Sequence, residues 1–143
     1  MSKSMGLTYA DLRLTNLFTG AAVDERVLVD TGAMPLCITA AVARALGFDT
    51  EETSTGNVTV ADGRRIKVPC VAPIRIEFAN RKYITEAFVF GDESLLGVVP
   101  MEMLDVIVHP ATNQLIVNPA HPDGPVYPVK AAAACTTPVR RAA

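Results

Sequence analysis

One carboxylate in this sequence stands where an acid is costly to place. Asp30 directly follows an apolar run, residues 27–29, and precedes Thr31, Gly32 and Ala33. Gly32 permits a tight turn in which another backbone segment can approach closely. A carboxylate at the end of a buried strand is unfavourable unless it is hydrogen-bonded or used in chemistry. Asp30 is therefore the first candidate for general acid and base catalysis, and a turn aspartate that caps nearby N–H groups is the alternative.

A second segment has the pattern of an exposed hairpin. Residues 56–68 form two β-rich arms around Asp62 and Gly63, and an Asp-Gly pair is among the strongest short hairpin signals. Val60 and Ala61 lead into this turn. We therefore expect a mobile hairpin that could act as a lid.

A third segment ends a strand just before a helix. Residues 88–97 finish on two apolar residues and a glycine, Leu95, Leu96 and Gly97, and Pro100 then marks the first position of a short predicted helix.

Taken in this order, the three segments resemble the retropepsin-like aspartic peptidases, and most of all their short bacterial members. The resemblance extends over residues 7–119. It implies that Asp30 is catalytic, that Thr31 makes a reciprocal hydrogen bond across a subunit interface, and that Gly32 turns its N–H toward the carboxylates. Ala33 completes the active-site turn.

The same resemblance assigns residues 56–67 to the flap, the hairpin that covers the substrate in this family. Within the flap it implies a substrate-binding role for Val60, Ala61, Asp62 and Gly63. It also identifies residues 95–97 as the structural hydrophobic-glycine element of the family.

The sequence departs from the family pattern at two places. Met34 and Pro35 stand where Ser or Thr is frequent, and Val98 and Val99 follow the hydrophobic glycine where Arg or Asp is frequent.

Peptide hydrolysis of this type needs two carboxylates that share one proton. The chain has one Asp-Thr-Gly and too few residues for a second lobe. We therefore expect a homodimer with Asp30 of both subunits at the two-fold axis, acting on a peptide or protein substrate. No cofactor is required, and a metal site is not expected because the only histidines, His109 and His121, lie beside prolines in predicted loops.

The elements that position these residues read mostly as strands. Predicted hairpins lie at residues 7–29, 74–89 and 106–117, and short helices at 40–46 and 100–104. Thr39 and Gly47 fit the two ends of the first helix. The prediction is an all-β fold with two short helices, a closed or partly closed barrel with one lobe per chain. Residues 120–130 are expected to form a C-terminal extension, and residues 131–143 a disordered tail.

Composition excludes several classes of function. The chain has 143 residues, a formal net charge of −2 and no basic stripe, so we expect one domain and no nucleic-acid partner. No apolar segment is long enough for a membrane span or a signal peptide, which favours a cytoplasmic protein. The three cysteines, Cys37, Cys70 and Cys135, have no paired spacing and are expected to be free thiols.

Two other functions remain open at this point. A dimeric peptide-binding or scaffold module of the same fold would hold partners in its cleft without turnover. A monomeric barrel that binds a small ligand is the third possibility. If the chain is a peptidase, its broadly apolar walls suggest apolar side chains on the substrate.

Overall fold

The computed structural model describes residues 7–130. This part of the chain forms strands β1 (Thr8–Asn16), β2 (Ala22–Val29), β3 (Leu36–Ile38), β4 (Ser54–Thr59), β5 (Arg65–Phe78), β6 (Arg81–Val89), β7 (Leu95–Leu96), β8 (Val106–His109) and β9 (Gln114–Val117), and helices α1 (Ala40–Ala45) and α2 (Val98–Leu104). The predicted all-β fold with two short helices is confirmed. Neither helix in this range is long and apolar enough to cross a membrane. The predicted tail and Cys135 lie outside the described residues.

Six strands form a ring of hydrogen-bonded neighbours. Their order is β1-β2-β7-β3-β6-β5, and β5 pairs in turn with β1, which closes the ring. Strand β4 continues outward from β5 and keeps one edge open, whereas β8 and β9 form a separate hairpin. The ring agrees with the closed arrangement that the strand pattern predicts.

Alternation of apolar residues explains where the core lies. In β1, the buried positions are every second residue from Thr8 to Leu14, which turns one face of the strand into the ring. Each fully buried Leu or Ile contributes roughly 1.5–3 kcal/mol relative to an exposed one. These side chains make the interior a fixed support for the loops around it: Leu12, Leu14, Val27, Leu36, Ile38, Ile74, Ile76, Leu96 and Leu104.

The two residues of β7 hold the loop that carries Asp30. Strand β2 pairs with β7 in parallel, with Val29 opposite Leu96, and β3 pairs with β7 in antiparallel fashion, with Leu36 opposite the same residue. Both ends of the loop formed by residues 30–35 are therefore held by β7, which lies between β2 and β3.

Helix α1 forms as its ends predict. Thr39 is the N-cap, and its Oγ1 accepts a hydrogen bond from Val42 N at 3.2 Å. Gly47 follows the helix with φ +81°, a conformation that glycine adopts without a steric cost.

Helix α2 begins two residues earlier than predicted. Gly97 is its N-cap, and Pro100 is the third helical residue rather than the first. The first N–H groups of a helix have no partner inside the helix, so proline is tolerated throughout the first turn. Here Val98 N donates to Ala33 O at 2.8 Å and Val99 N donates to Met34 O at 3.1 Å, which extends the helix toward the Asp30 loop.

The turn between β5 and β6, inside the predicted hairpin 74–89, has two residues. Ala79 and Asn80 alone make the turn, with Ala79 at φ +51°, and β6 begins at Arg81. Arg81 is fully buried. Its guanidinium donates to the carbonyl oxygens of Asp105, at 3.2 and 3.3 Å, and of His121, at 2.7 Å. These bonds satisfy the donors of a charged group that has no contact with solvent.

The start of the C-terminal extension packs against its own lobe around Asp105. The Asp105 carboxylate accepts hydrogen bonds from the Asn118 amide and from Val126 N, both at 3.0 Å, and lies 2.5 Å from His121 Nδ1. Hydrogen bonds from Asn118 and Val126, with a smaller effect of His121, lower the pKa of Asp105 from 3.8 to about 2. Tyr127 Oη also donates to Met103 O at 2.6 Å. Asp105, the left-handed C-cap of α2, thereby joins the extension to the helix.

Candidate active site

Asp30 is held by hydrogen bonds on both sides of its backbone. Its N–H donates to Leu96 O at 3.0 Å, and its carbonyl accepts from Ala33 N at 3.1 Å. Its Oδ1 accepts a hydrogen bond from Gly32 N at 2.9 Å. The side chain is partly exposed, so the carboxylate is fixed in direction and still reachable from outside.

Gly32 can hold this position because it lacks a side chain. A Cβ at residue 32 would lie 3.2 Å from Asp30 Oδ1, closer than an ordinary van der Waals contact. Glycine therefore lets the backbone N–H turn under the carboxylate, as the family resemblance implies. Thr31, between them, is exposed at the surface of the lobe.

Gly97 supports the same loop from below. A Cβ on Gly97 would lie 2.4 Å from Pro35 O and 2.6 Å from Met34 O, so only glycine fits. Gly97 N donates to Pro35 O at 3.0 Å. The departure from the family pattern at Met34 and Pro35 does not disturb the packing of Gly97 against the loop, because Gly97 contacts the backbone carbonyl groups of these two residues and not their side chains.

A cleft of about 850 Å³ separates the Asp30 loop from the flap. Asp30 lies on one side, Val60 and Ala61 lie on the other, and Leu95 contributes to the floor. Asp62 and Gly63 do not line the cleft of the single chain. The hairpin predicted to be a lid therefore lies opposite the carboxylate that it would cover.

The flap tip is a hydrogen-bonded turn. Asp62 Oδ1 accepts from Arg64 N at 3.0 Å, and its Oδ2 accepts from Arg64 Nε at 2.8 Å. Both bonds lower the pKa of Asp62, the backbone one more than the side-chain one. Gly63 has φ +88° with no atom within 4 Å of a Cβ position. Asp62 and Gly63 thus shape the turn of the flap.

Asp30 is the only carboxylate that lines the cleft of the described chain, and Cys37 lies close to it. Burial raises the pKa of the Cys37 thiol, and the negative charge of Asp30 raises it further. Both described cysteines, Cys37 and Cys70, are free thiols, in agreement with the sequence. Within residues 7–130 no three His, Cys, Asp or Glu side chains come close enough together to hold a metal ion.

Three cleft residues were not singled out from the sequence. Cys37, Phe88 and Phe90 all line the cleft. The alternation was visible, because Phe88 and Phe90 flank Val89, the last residue of β6, and alternate residues of an extended segment share one face. Which face is the cleft face depends on the curvature of the sheet, which the alternation does not give.

Comparison with known proteins gives one family and one fold. A sequence model of the aspartyl protease family matches residues 17–116. The EIAV protease in complex with the inhibitor HBY-793 is similar in structure, with a TM-score of 0.56 and 16% identity over 71% of this chain and 91% of that chain. The retroviral protease-like domain of Ddi1 from Leishmania major has a TM-score of 0.53 and 16% identity, over 78% of this chain and 90% of that chain.

A retropepsin-like aspartic protease from Rickettsia conorii is 21% identical over 71% of this chain and 85% of that chain, with a TM-score of 0.47. No curated protein sequence matches the chain. At these identities, the likeness to the EIAV and Leishmania structures establishes the fold.

Proposed function

The chain belongs to the aspartyl protease family, as its sequence predicted, and from this premise we propose that it is an aspartic endopeptidase that acts as a homodimer. The observation that carries the proposal is the position of Asp30, which lies partly exposed in a cleft opposite the flap. We assign the peptidase domain to residues 7–119, with residues 120–130 as an extension.

The dimer follows from the number of carboxylates. The chemistry requires two that share a proton, and Asp30 is the only one in the cleft of the described chain. A two-fold axis beside Asp30 would supply the second from another copy. Two exposed apolar side chains next to the Asp30 loop favour such a contact: Met34 is 66% exposed and Val99 is 39% exposed.

In the proposed reaction, water attacks the scissile carbonyl carbon. The ionised Asp30 takes a proton from this water, while the protonated Asp30 of the other subunit donates its proton to the carbonyl oxygen. As the C–N bond of the tetrahedral gem-diol breaks, the Asp30 carboxyl that took the water's proton donates it to the leaving amine nitrogen. The other Asp30 carboxylate takes a proton from a gem-diol hydroxyl, which leaves a carboxylic acid product and restores both carboxyl groups to their starting states. No covalent bond to the enzyme forms.

The flap strand offers the substrate a backbone partner. In the described part of the chain, strand β4 pairs only with β5, and Asn57, Val58 and Thr59 of β4 line the cleft. An extended peptide can add to such an open edge through main-chain hydrogen bonds. Apolar cleft side chains, among them Phe88 and Leu95, would then favour apolar substrate residues.

The test is peptide hydrolysis by the wild type and by Asp30→Asn. A peptide library is incubated with each protein at acidic to neutral pH, and products are identified by mass spectrometry. Asp24→Asn is the matched control because Asp24 is exposed on β2, the strand that leads into the Asp30 loop, pairs with Arg13 at 3.1 Å and does not line the cleft. We expect products with the wild type and the control, and none with Asp30→Asn.

Unchanged hydrolysis by Asp30→Asn would refute the mechanism. Peptide binding without any Asp30-dependent product would favour the alternative function, a dimeric peptide-binding module of the same fold. A cytoplasmic location remains a prediction from the sequence.

A further inference from the structure

The flap touches the cleft floor at one unusually close contact. Gly56 lies in β4, and a Cβ on it would lie 2.3 Å from Phe88 Cε1 and 3.2 Å from both Phe88 Cδ1 and Cζ. These distances mean that the Phe88 ring occupies the space where a side chain at residue 56 would be. The flap strand therefore rests with its bare backbone on the edge of an aromatic ring.

Phe88 is firmly placed in the floor. Strand β6 lies between β3 and β5, and Phe88 pairs with Cys37 on one side and with Cys70 on the other. A residue in the middle of a closed ring of strands cannot shift its backbone without breaking ladder hydrogen bonds on both sides.

The flap strand is held much less firmly. Among the strands of residues 7–130 it pairs with β5 alone, and its other edge has no partner strand there. Near its base, Thr53 Oγ1 donates a hydrogen bond to Cys70 O at 2.7 Å. Beyond Thr53, the distance between the flap and the cleft floor depends on the side chains packed under β4, and the Phe88 ring is packed there against Gly56.

We infer that Phe88 is a positioning residue for the flap: its ring, seated against Gly56, sets the distance between the flap and Asp30. Phe88 and Val58 of β4 both line the cleft, so the contact that supports the flap is continuous with the wall that meets the substrate. The inference rests on the proposed function for its consequence in catalysis. The mechanical coupling between Phe88 and Gly56 holds whether or not the protein cleaves peptides.

The alanine variant Gly56→Ala perturbs the contact directly. Ordinary carbon contacts are about 3.5–4 Å, so a methyl group would overlap the ring by more than about 1 Å. Because the open-edged β4 moves more easily than the floor, we expect the flap to lift. A displacement of about 1 Å in a group that orients substrate can lower the rate by about 100-fold.

Phe88→Leu supplies the compensating change. Leucine has no counterpart of Cε1 or Cζ, two of the three ring atoms closest to the alanine methyl. The double variant Gly56→Ala/Phe88→Leu therefore has room for the methyl group. The matched control is Phe90→Leu, alone and with Gly56→Ala, because Phe90 lines the same cleft but is not among the atoms closest to Gly56.

The first measurement is hydrogen exchange of the flap amides, residues 56–67, in the full chain. We expect exchange to be about tenfold faster in Gly56→Ala. In the double variant with Phe88→Leu it should return to within about threefold of the wild type, because the effects of substitutions at two residues in contact are not additive. The pair with Phe90→Leu should be additive. Additive effects of the Gly56 and Phe88 changes, or equal rescue by Phe90→Leu, would overturn the inference.

The second measurement is kcat/KM on a peptide from the Asp30-dependent screen. It should fall at least about tenfold in Gly56→Ala and recover in the double variant with Phe88→Leu. Coupled exchange without peptide cleavage would contradict the proposed function and leave the coupling in place. Cleavage without coupled exchange would contradict the inference alone.

Discussion

Replacing Gly97 by alanine tests how tightly the Asp30 loop is seated against the start of α2. A Cβ there would lie 2.4 Å from Pro35 O, 2.5 Å from Met34 C and 2.6 Å from Met34 O. All three are backbone atoms, so no side chain can rotate away. Since ordinary contacts are about 3.5 Å, the loop or the helix must move by about 1 Å.

The expected cost can be worked from these contacts. Overpacking of this kind costs typically about 1–3 kcal/mol. The movement also weakens three hydrogen bonds from the start of α2 to the loop, with lengths of 3.0, 2.8 and 3.1 Å, each worth about 1 kcal/mol. Gly97 has φ −84°, so alanine adds no backbone strain. We expect Gly97→Ala to lower the free energy of unfolding by about 3 kcal/mol.

Urea unfolding of Gly97→Ala and of the control Gly63→Ala separates crowding from backbone strain. Gly63 has φ +88° and open space around its Cβ position, so alanine there costs only about 1–2 kcal/mol of left-handed strain. The Gly97 variant should also lose most peptide hydrolysis, because Asp30 moves with its loop. Destabilisation of Gly97→Ala no greater than that of Gly63→Ala, with hydrolysis unchanged, would refute this reasoning.

Three further predictions concern buried and titratable groups. Arg81→Met removes the guanidinium donor from the His121 carbonyl and two of the three donors from the Asp105 carbonyl, which keeps Asn118 N at 3.0 Å. It should therefore lower the free energy of unfolding by about 3 kcal/mol in a urea titration; an unchanged midpoint would contradict this. Hydrogen bonds hold the pKa of Asp105 at about 2, below its usual 3.8. The ionised carboxylate therefore stabilises the fold fully above about pH 4, and this stabilisation is lost as the pH falls through about 2. Asp105→Asn should thus lower the thermal midpoint at neutral pH and approach the wild type near pH 2; a constant difference across that range would argue against it. The charge of Asp30 adds to burial in raising the pKa of Cys37, so Asp30→Asn should speed the alkylation of Cys37 at pH 8. Alkylation of Cys70, whose pKa is about 11, should stay slow. Peptide mass spectrometry measures both rates, and equal acceleration at the two thiols would count against the prediction.

Local signals in the sequence were enough for the hairpins and for α1. The Asp-Gly turn of the flap and the cap residues Thr39 and Gly47 act through neighbours within a few positions, and the structure has these elements where they were predicted. The spacing of the short strands predicted the closed arrangement, and the family resemblance added the roles of its segments.

Contacts between distant segments explain what the sequence did not reveal. The start of α2 depends on the carbonyl groups of Ala33 and Met34, more than 60 positions away along the chain. Arg81 is buried because carbonyl groups of Asp105 and His121 fold over it. An arginine beside an Asn in a turn signals neither partner.

The candidate site divides in the same way. Asp30 could be chosen from its turn and its apolar strand, and the flap from its hairpin signal. That Phe88 lies beneath Gly56 follows from the curl of the flap over the floor, which depends on the closure of the whole ring. The sequence therefore indicated Asp30 and the flap, which face each other across the cleft, but not the contact between Phe88 and Gly56 that sets the distance between them.

The claim that one catalytic site is built from two chains is tested most directly by mixing wild type with Asp30→Asn. The two proteins are refolded together in equal amounts so that subunits combine at random, and Asp30-dependent hydrolysis is measured at constant total protein. If each site needs Asp30 from both subunits, only wild-type dimers are active. The mixture should then have about one quarter of the activity of wild type alone at the same total protein concentration. An activity of about one half would mean that each chain carries a complete site and would contradict the account.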